Sequence, residues 1–154
     1  MSEANEAALT TAERELAENG AYLTTTIGHS MEPLFSHRRD AVVIARPDRE
    51  LKKYDVVLYP GGEGRFVLHR IIGVGKEHFI IRGDNTHFKE LVPKSDIIGV
   101  LVSFTRKGKK HEVTELGYRA YSRIRCASYP IRVLARRVRA MLSRIKRAIL
   151  GKKK

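Results

Sequence analysis

The chain of 154 residues reads as a mainly β protein: a compact antiparallel barrel or sandwich, with a short helix before it and a basic amphipathic helix after it. Three observations predict this. Short runs rich in β-branched and aromatic residues recur between residues 22 and 105, separated by turn-forming Gly, Pro and Asp. Their close spacing is that of a small all-β domain rather than of alternating strands and helices. After Pro130 the apolar period changes to three or four residues, the period of a helix.

Thr10 and Glu13 have the spacing of a capping box, so a short helix is expected over residues 11–19, stopped by Gly20. Strands are expected at residues 22–27, 41–46, 55–59, 65–74, 77–82 and 97–105. Residues 60–64, Pro-Gly-Gly-Glu-Gly, form a flexible turn, and residues 106–110, Arg-Lys-Gly-Lys-Lys, an exposed basic one. A helix is expected over 118–128, carrying Tyr121 and Ile124, and a longer one from Pro130 to Leu150. Pro130 suits a first helical turn and Gly151 a stop. The organisation is then an acidic N-terminal segment (1–20), a β domain (21–110) and a basic helical tail (111–154).

The net charge is +13, but residues 111–154 hold 13 Lys and Arg against 2 Glu, leaving only +2 to the rest. Basic character thus belongs to the tail, which is built to meet something acidic. No apolar run approaches the roughly 18–20 residues that span a bilayer, and no secretory leader is visible, so a cytoplasmic location is expected. Cys126 is the lone cysteine, which excludes an internal disulfide. The histidines show no paired ligand spacing, so neither a metal nor a cofactor is expected.

The candidate chemistry centres on Gly28-His29-Ser30-Met31-Glu32-Pro33. A serine hydroxyl attacks a carbonyl only with a base in reach and donors for the oxyanion. Ser30 is the candidate nucleophile, and its own backbone amide the natural oxyanion donor. Gly28, Met31 and Pro33 flank it and are assigned to substrate binding. His69 is the candidate general base. It shares a strand face with Val67 and Ile71, where an apolar setting keeps imidazole neutral. His29 is a rival, but neighbours on an extended chain point apart. Asp84, in the turn Arg82-Gly83-Asp84-Asn85, is the candidate for holding the His69 tautomer.

Together, the stretches 28–33, 68–73 (Leu-His-Arg-Ile-Ile-Gly) and 82–85 resemble the successive boxes of the signal peptidase I clan, which includes the self-cleaving SOS and phage repressors. A histidine followed by arginine at 69–70 resembles the endoplasmic-reticulum and archaeal subtype, where the bacterial enzymes carry lysine. The likeness covers about residues 22–104. It implies a β protease domain, an acyl-enzyme on Ser30, His69 as base, Asp84 as acidic partner, and a peptide or preprotein substrate bound as an added strand. The chain departs from the pattern in three places. It shows no transmembrane tether. Gly28 stands where several members carry a hydroxyl residue that donates to the oxyanion. The subtype's further Asp beyond the turn has only Glu90 or Asp96 as a counterpart.

In the tail, Ile131, Leu134, Val138, Met141, Leu142, Ile145 and Ile149 form an apolar stripe, with arginines and lysines filling the rest. This is the make-up of an interfacial helix, so residues 130–154 are expected to meet an anionic membrane surface. Packing of the stripe on the β domain is the competing expectation. Nucleic acid is disfavoured, since no aromatic-interleaved basic platform accompanies the charge.

Overall fold

The computed structural model describes residues 12–62 and 65–151. The proposed Thr10 cap, Glu63 and Gly64 of the Gly-rich turn, and the terminal lysines lie outside them. A first helix, α1, covers residues 12–19. Eight strands follow: β1 (Ala21–Thr25), β2 (Ala41–Ala45), β3 (Val56–Pro60), β4 (Phe66–Val74), β5 (His78–Arg82), β6 (Glu90–Pro93), β7 (Gly99–Arg106) and β8 (Lys109–Glu112). Helices α2 (Leu116–Ala127) and α3 (Tyr129–Gly151) complete the fold.

All pairings are antiparallel, and the strands run β1-β2-β7-β3-β4-β5-β6, with β8 added beside β7. The ends of this order do not pair, so the sheet is an open half-barrel rather than a closed barrel or a two-sheet sandwich. Its curvature buries both faces of the middle strand. Val56 and Leu58 of β3 enter a core with Leu16, Phe35, Ile44 and Phe104. Val57 and Tyr59, on the other face, enter a second core with Ile71, Phe79, Ile81 and Val100. Period-two alternation at β3 thus serves two cores at once.

Six of the strands coincide with the alternating runs in the sequence, to within one or two residues at the ends. Two were not expected. β6 contains Pro93 and only two apolar residues besides, and β8 reads Lys-Lys-His-Glu. Neither carries a hydrophobic pattern; both form because a neighbouring strand offers an open edge. The basic stretch 106–110 is accordingly a hairpin between β7 and β8, turning at Lys107 and Gly108, both at positive φ. The sheet therefore extends to Glu112, past the expected boundary at 110.

Both C-terminal helices form where the apolar period places them, but they sit differently. α2 lies against the sheet: Tyr118 and Tyr121 pack on the first core and Ser122 is fully buried. α3 is half-buried only at its start, and every described residue from Leu134 to Arg147 is exposed. The expectation that the stripe packs on the β domain is therefore not met.

Candidate active site

Ser30 lies in the turn that links β1 to β2. Gly28 adopts φ +101°, which an L side chain rarely takes, and its N–H donates to Nδ1 of His37 at 2.8 Å. That bond fixes the approach to the serine. Beyond it, Leu34 and Phe35 donate their N–H groups to the Met31 carbonyl, and Met31, Leu34 and Phe35 are buried in the core. The Ser30 loop is therefore anchored by buried side chains on one flank and by an imidazole on the other.

The turn after β5 closes over this loop. Asn85 donates its backbone N–H to the Ser30 carbonyl at 2.7 Å, and its side chain donates to the His29 carbonyl at 3.1 Å. Gly83 is what lets the two segments approach. A Cβ at that position would stand 2.7 Å from the Ser30 carbonyl oxygen and 2.9 Å from His69 Nε2. Both distances are shorter than any side chain tolerates, so only glycine fits. The same geometry brings the Ser30 backbone carbonyl and the Nε2 edge of His69 together against Gly83.

His69 is buried on β4 and reaches the site from the sheet. Its Nδ1 lies 3.0 Å from Glu90 Oε1 and 3.1 Å from the Tyr59 hydroxyl. Tyr59 spends its single proton on Glu90 Oε2 at 3.0 Å. Both neighbours of Nδ1 are then acceptors, so Nδ1 carries the proton and Nε2 keeps its lone pair. Burial lowers the pKa of His69 below its ordinary value, against the opposing pull of the Glu90 carboxylate. Imidazole is thereby held neutral, the form that accepts a proton. Burial and the adjacent Glu90 push the Tyr59 phenol upward, so it remains a donor.

Asp84 does not orient His69, contrary to expectation. Its two oxygens receive Arg70 Nε and Nη2, each at 2.8 Å, and Tyr121 adds a third donor at 3.1 Å. The reason lies in strand alternation: Arg70 and His69 leave β4 on opposite faces, and Asp84 is on the arginine side. The carboxylate that meets His69 comes from β6, the strand with no hydrophobic signature. Glu90 was legible only as a counterpart within the family resemblance. Asp96 lies in the short turn of 3-10 helix after β6 and pairs with Ser95.

Ser30, Gly28, Met31 and His69 line one cavity of about 650 Å³, walled by β1 (Tyr22, Thr24, Thr25) and by Phe66–Leu68 of β4. Pro33 does not line it; it is exposed, because the turn begun at Met31 carries it away from the cavity. His29, the rival base, is exposed and paired with Glu32. Among the described residues, Ser30 Oγ has no hydrogen-bond partner, and the Ser30 N–H donates to none, so both are available to a ligand. The hydroxyl of Thr26 is spent on the carbonyls of Ser36 and Asp40.

No protein-family model matches the chain, and no curated protein matches it.

Proposed function

We propose that the chain is a serine endopeptidase of the signal-peptidase type, acting on a leader, signal or precursor peptide by a Ser30–His69–Glu90 mechanism. The observation that carries this reading is that Ser30 and His69 line one cavity, the Ser30 carbonyl oxygen and His69 Nε2 both lying close against Gly83, with Nδ1–H held by Glu90. A substrate carbonyl in the cavity is attacked by Ser30 Oγ as its proton passes to His69 Nε2. The Ser30 N–H receives the oxyanion. The imidazolium, its Nδ1–H facing the Glu90 carboxylate, returns the proton to the leaving amine. Water activated by the same imidazole then hydrolyses the acyl-enzyme.

Substrate orientation follows from open backbone edges. Among the described residues, β1 pairs with β2 on one side only, and β4 meets β5 only from Arg70 onward. The free edges of residues 21–25 and 66–69 flank the cavity, and an extended peptide lying between them would be placed with its scissile bond beside Ser30.

A second reading, a binding module of the same fold without turnover, is favoured by one observation. No side chain at position 28 supplies a second oxyanion donor, and loss of such a donor costs roughly 100-fold or more in rate. A fluorophosphonate separates the two. It is expected to label wild-type protein at Ser30 and to leave Ser30→Ala and His69→Ala unlabelled, with peptide cleavage falling at least roughly 10⁴-fold in both and melting temperatures close to wild type. Equal labelling of wild type and Ser30→Ala would end the peptidase reading.

A further inference from the structure

The long helix α3 meets the body of the protein with its polar face. Tyr129 donates its hydroxyl to the His87 carbonyl at 2.9 Å, and its ring lies 3.4 Å beneath the Arg82 guanidinium. Arg132 donates to the carbonyls of Asp84 and Arg125, and Arg136 to the Asn85 side chain and the His87 ring. Positions 129, 132 and 136 recur at helical spacing along one side. The apolar stripe occupies the opposite side. Ile131, Leu134, Met141 and Leu142 are each more than half exposed, at 70%, 63%, 55% and 56%, while Val138 and Ile145 stand at 41% and 47%.

This inverts the usual arrangement, in which an amphipathic helix turns its apolar face to its own core. The stripe is also framed by cations. On helical geometry Arg137 and Arg144 flank it on one side and Arg139 and Lys146 on the other, and α3 contains no acidic residue. Among the described residues no helix is long and apolar enough to cross a membrane.

We infer that α3 lies on an anionic membrane surface, its stripe in the acyl boundary and its flanking cations among the phosphates. Charge complementarity selects this occupant. A second copy of the chain would bring a like-charged helix against this one, and a neutral apolar groove would leave the framing arginines without partners. Arginine stems also suit this geometry, since they cover the stripe's margins while their heads reach the headgroups. Attachment leaves the helix's other face holding residues 84–87, so the site would sit at a fixed distance from the bilayer.

Co-sedimentation of the full chain with phosphatidylcholine vesicles, with and without phosphatidylglycerol, tests this. Binding is expected to the anionic vesicles, to weaken as salt rises, and to fall by about tenfold or more in the triple variant Leu134→Gln, Met141→Gln, Ile145→Gln. Glutamine retains helix propensity, and circular dichroism checks that the helix persists. Replacing Arg137, Arg139, Arg144 and Lys146 by Gln is expected to remove the preference for anionic lipid. Three results would overturn the inference: no vesicle binding, vesicle binding untouched by the stripe variant, or a concentration-dependent dimer that the stripe variant abolishes. Tight binding of a duplex oligonucleotide at physiological salt, without vesicle binding, would assign the cations to nucleic acid instead.

Discussion

His69 and Arg70 are neighbours on β4, and the sheet sends them to opposite faces, where each meets a carboxylate under different conditions. Arg70 is fully buried and each of its three nitrogens donates: Nε and Nη2 to Asp84, and Nη1 to the Tyr54 carbonyl, Tyr118 and Ser122. Burial works against its charge, but the hydrogen bonds and field of Asp84 outweigh that, and its pKa is raised. His69 keeps one nitrogen free. Its partner Glu90 is 31% exposed, and the imidazole itself lines the cavity. A buried, doubly bridged ion pair cannot do chemistry, because neither partner is free to move. A half-saturated imidazole can. The contrast assigns Asp84 to architecture, tying β4 to α2 and the turn after β5, and Glu90 to the site.

Breaking the architectural pair should have the largest effect on stability. Arg70→Met leaves the Asp84 carboxylate buried with only the Tyr121 hydroxyl donating to it, which is expected to cost about 3–5 kcal/mol in urea unfolding. The double change Arg70→Met, Asp84→Leu should recover most of that loss, since no unpaired charge remains. A single-variant cost below about 1 kcal/mol would show that the pair is not the clasp described.

The proposed catalytic side should respond in the opposite way. Glu90→Gln is expected to leave stability nearly unchanged while lowering kcat about 100-fold, because the imidazolium loses its charged partner. Glu90 raises the His69 pKa, so its removal lets that pKa fall further, and the acid limb of the kcat/KM profile should move to lower pH. An acid limb that stays in place would mean that Glu90 does not act on His69.

Much of the fold behind this contrast is readable from residue patterns, and the unreadable part has identifiable causes. Alternation in residues 66–74 is enough to separate His69 from Arg70 by face. It does not say which of two downstream carboxylates reaches which. Asp84 sits in a conspicuous Gly-Asp-Asn turn, whereas Glu90 begins a strand of four residues ending in proline. That strand exists because β5 has a free edge, a tertiary fact with no local signature. The stripe of α3 is visible as a period, but which face meets the body depends on Tyr129, Arg132 and Arg136 finding carbonyls and side chains some 40 or 50 positions earlier in the chain. Gly83 reads as a turn residue; only the fold shows that its missing Cβ is the space between the Ser30 loop and His69.

The same histidine should leave a mark on stability against pH. In the unfolded chain it takes up a proton near its ordinary value of 6.5, while in the folded chain burial holds its pKa lower. Its contribution is therefore whole above about 6.5 and declines as pH falls, levelling off below the folded pKa. Urea midpoints measured between about pH 7.5 and 5 should show this slope in wild type and a shallower one in His69→Gln. Equal slopes would mean that the imidazole is not held neutral by the fold.

The smallest effect separates the two flanks of the serine itself. Around Gly28 there is open space for a Cβ, with no atom within 4 Å, so bulk is not the obstacle; the backbone is, at φ +101°. Gly28→Ala is thus expected to cost about 1–2 kcal/mol, read as a modest drop in melting temperature. Gly28→Ser carries the same backbone penalty while adding a hydroxyl that, on the proposed mechanism, donates to the oxyanion. If the loop keeps its course, the serine variant should exceed the alanine variant in kcat while matching it in stability. Equal kcat values would mean that the loop at Gly28 points any side chain away from the oxyanion, leaving the Ser30 amide as the donor the site depends on.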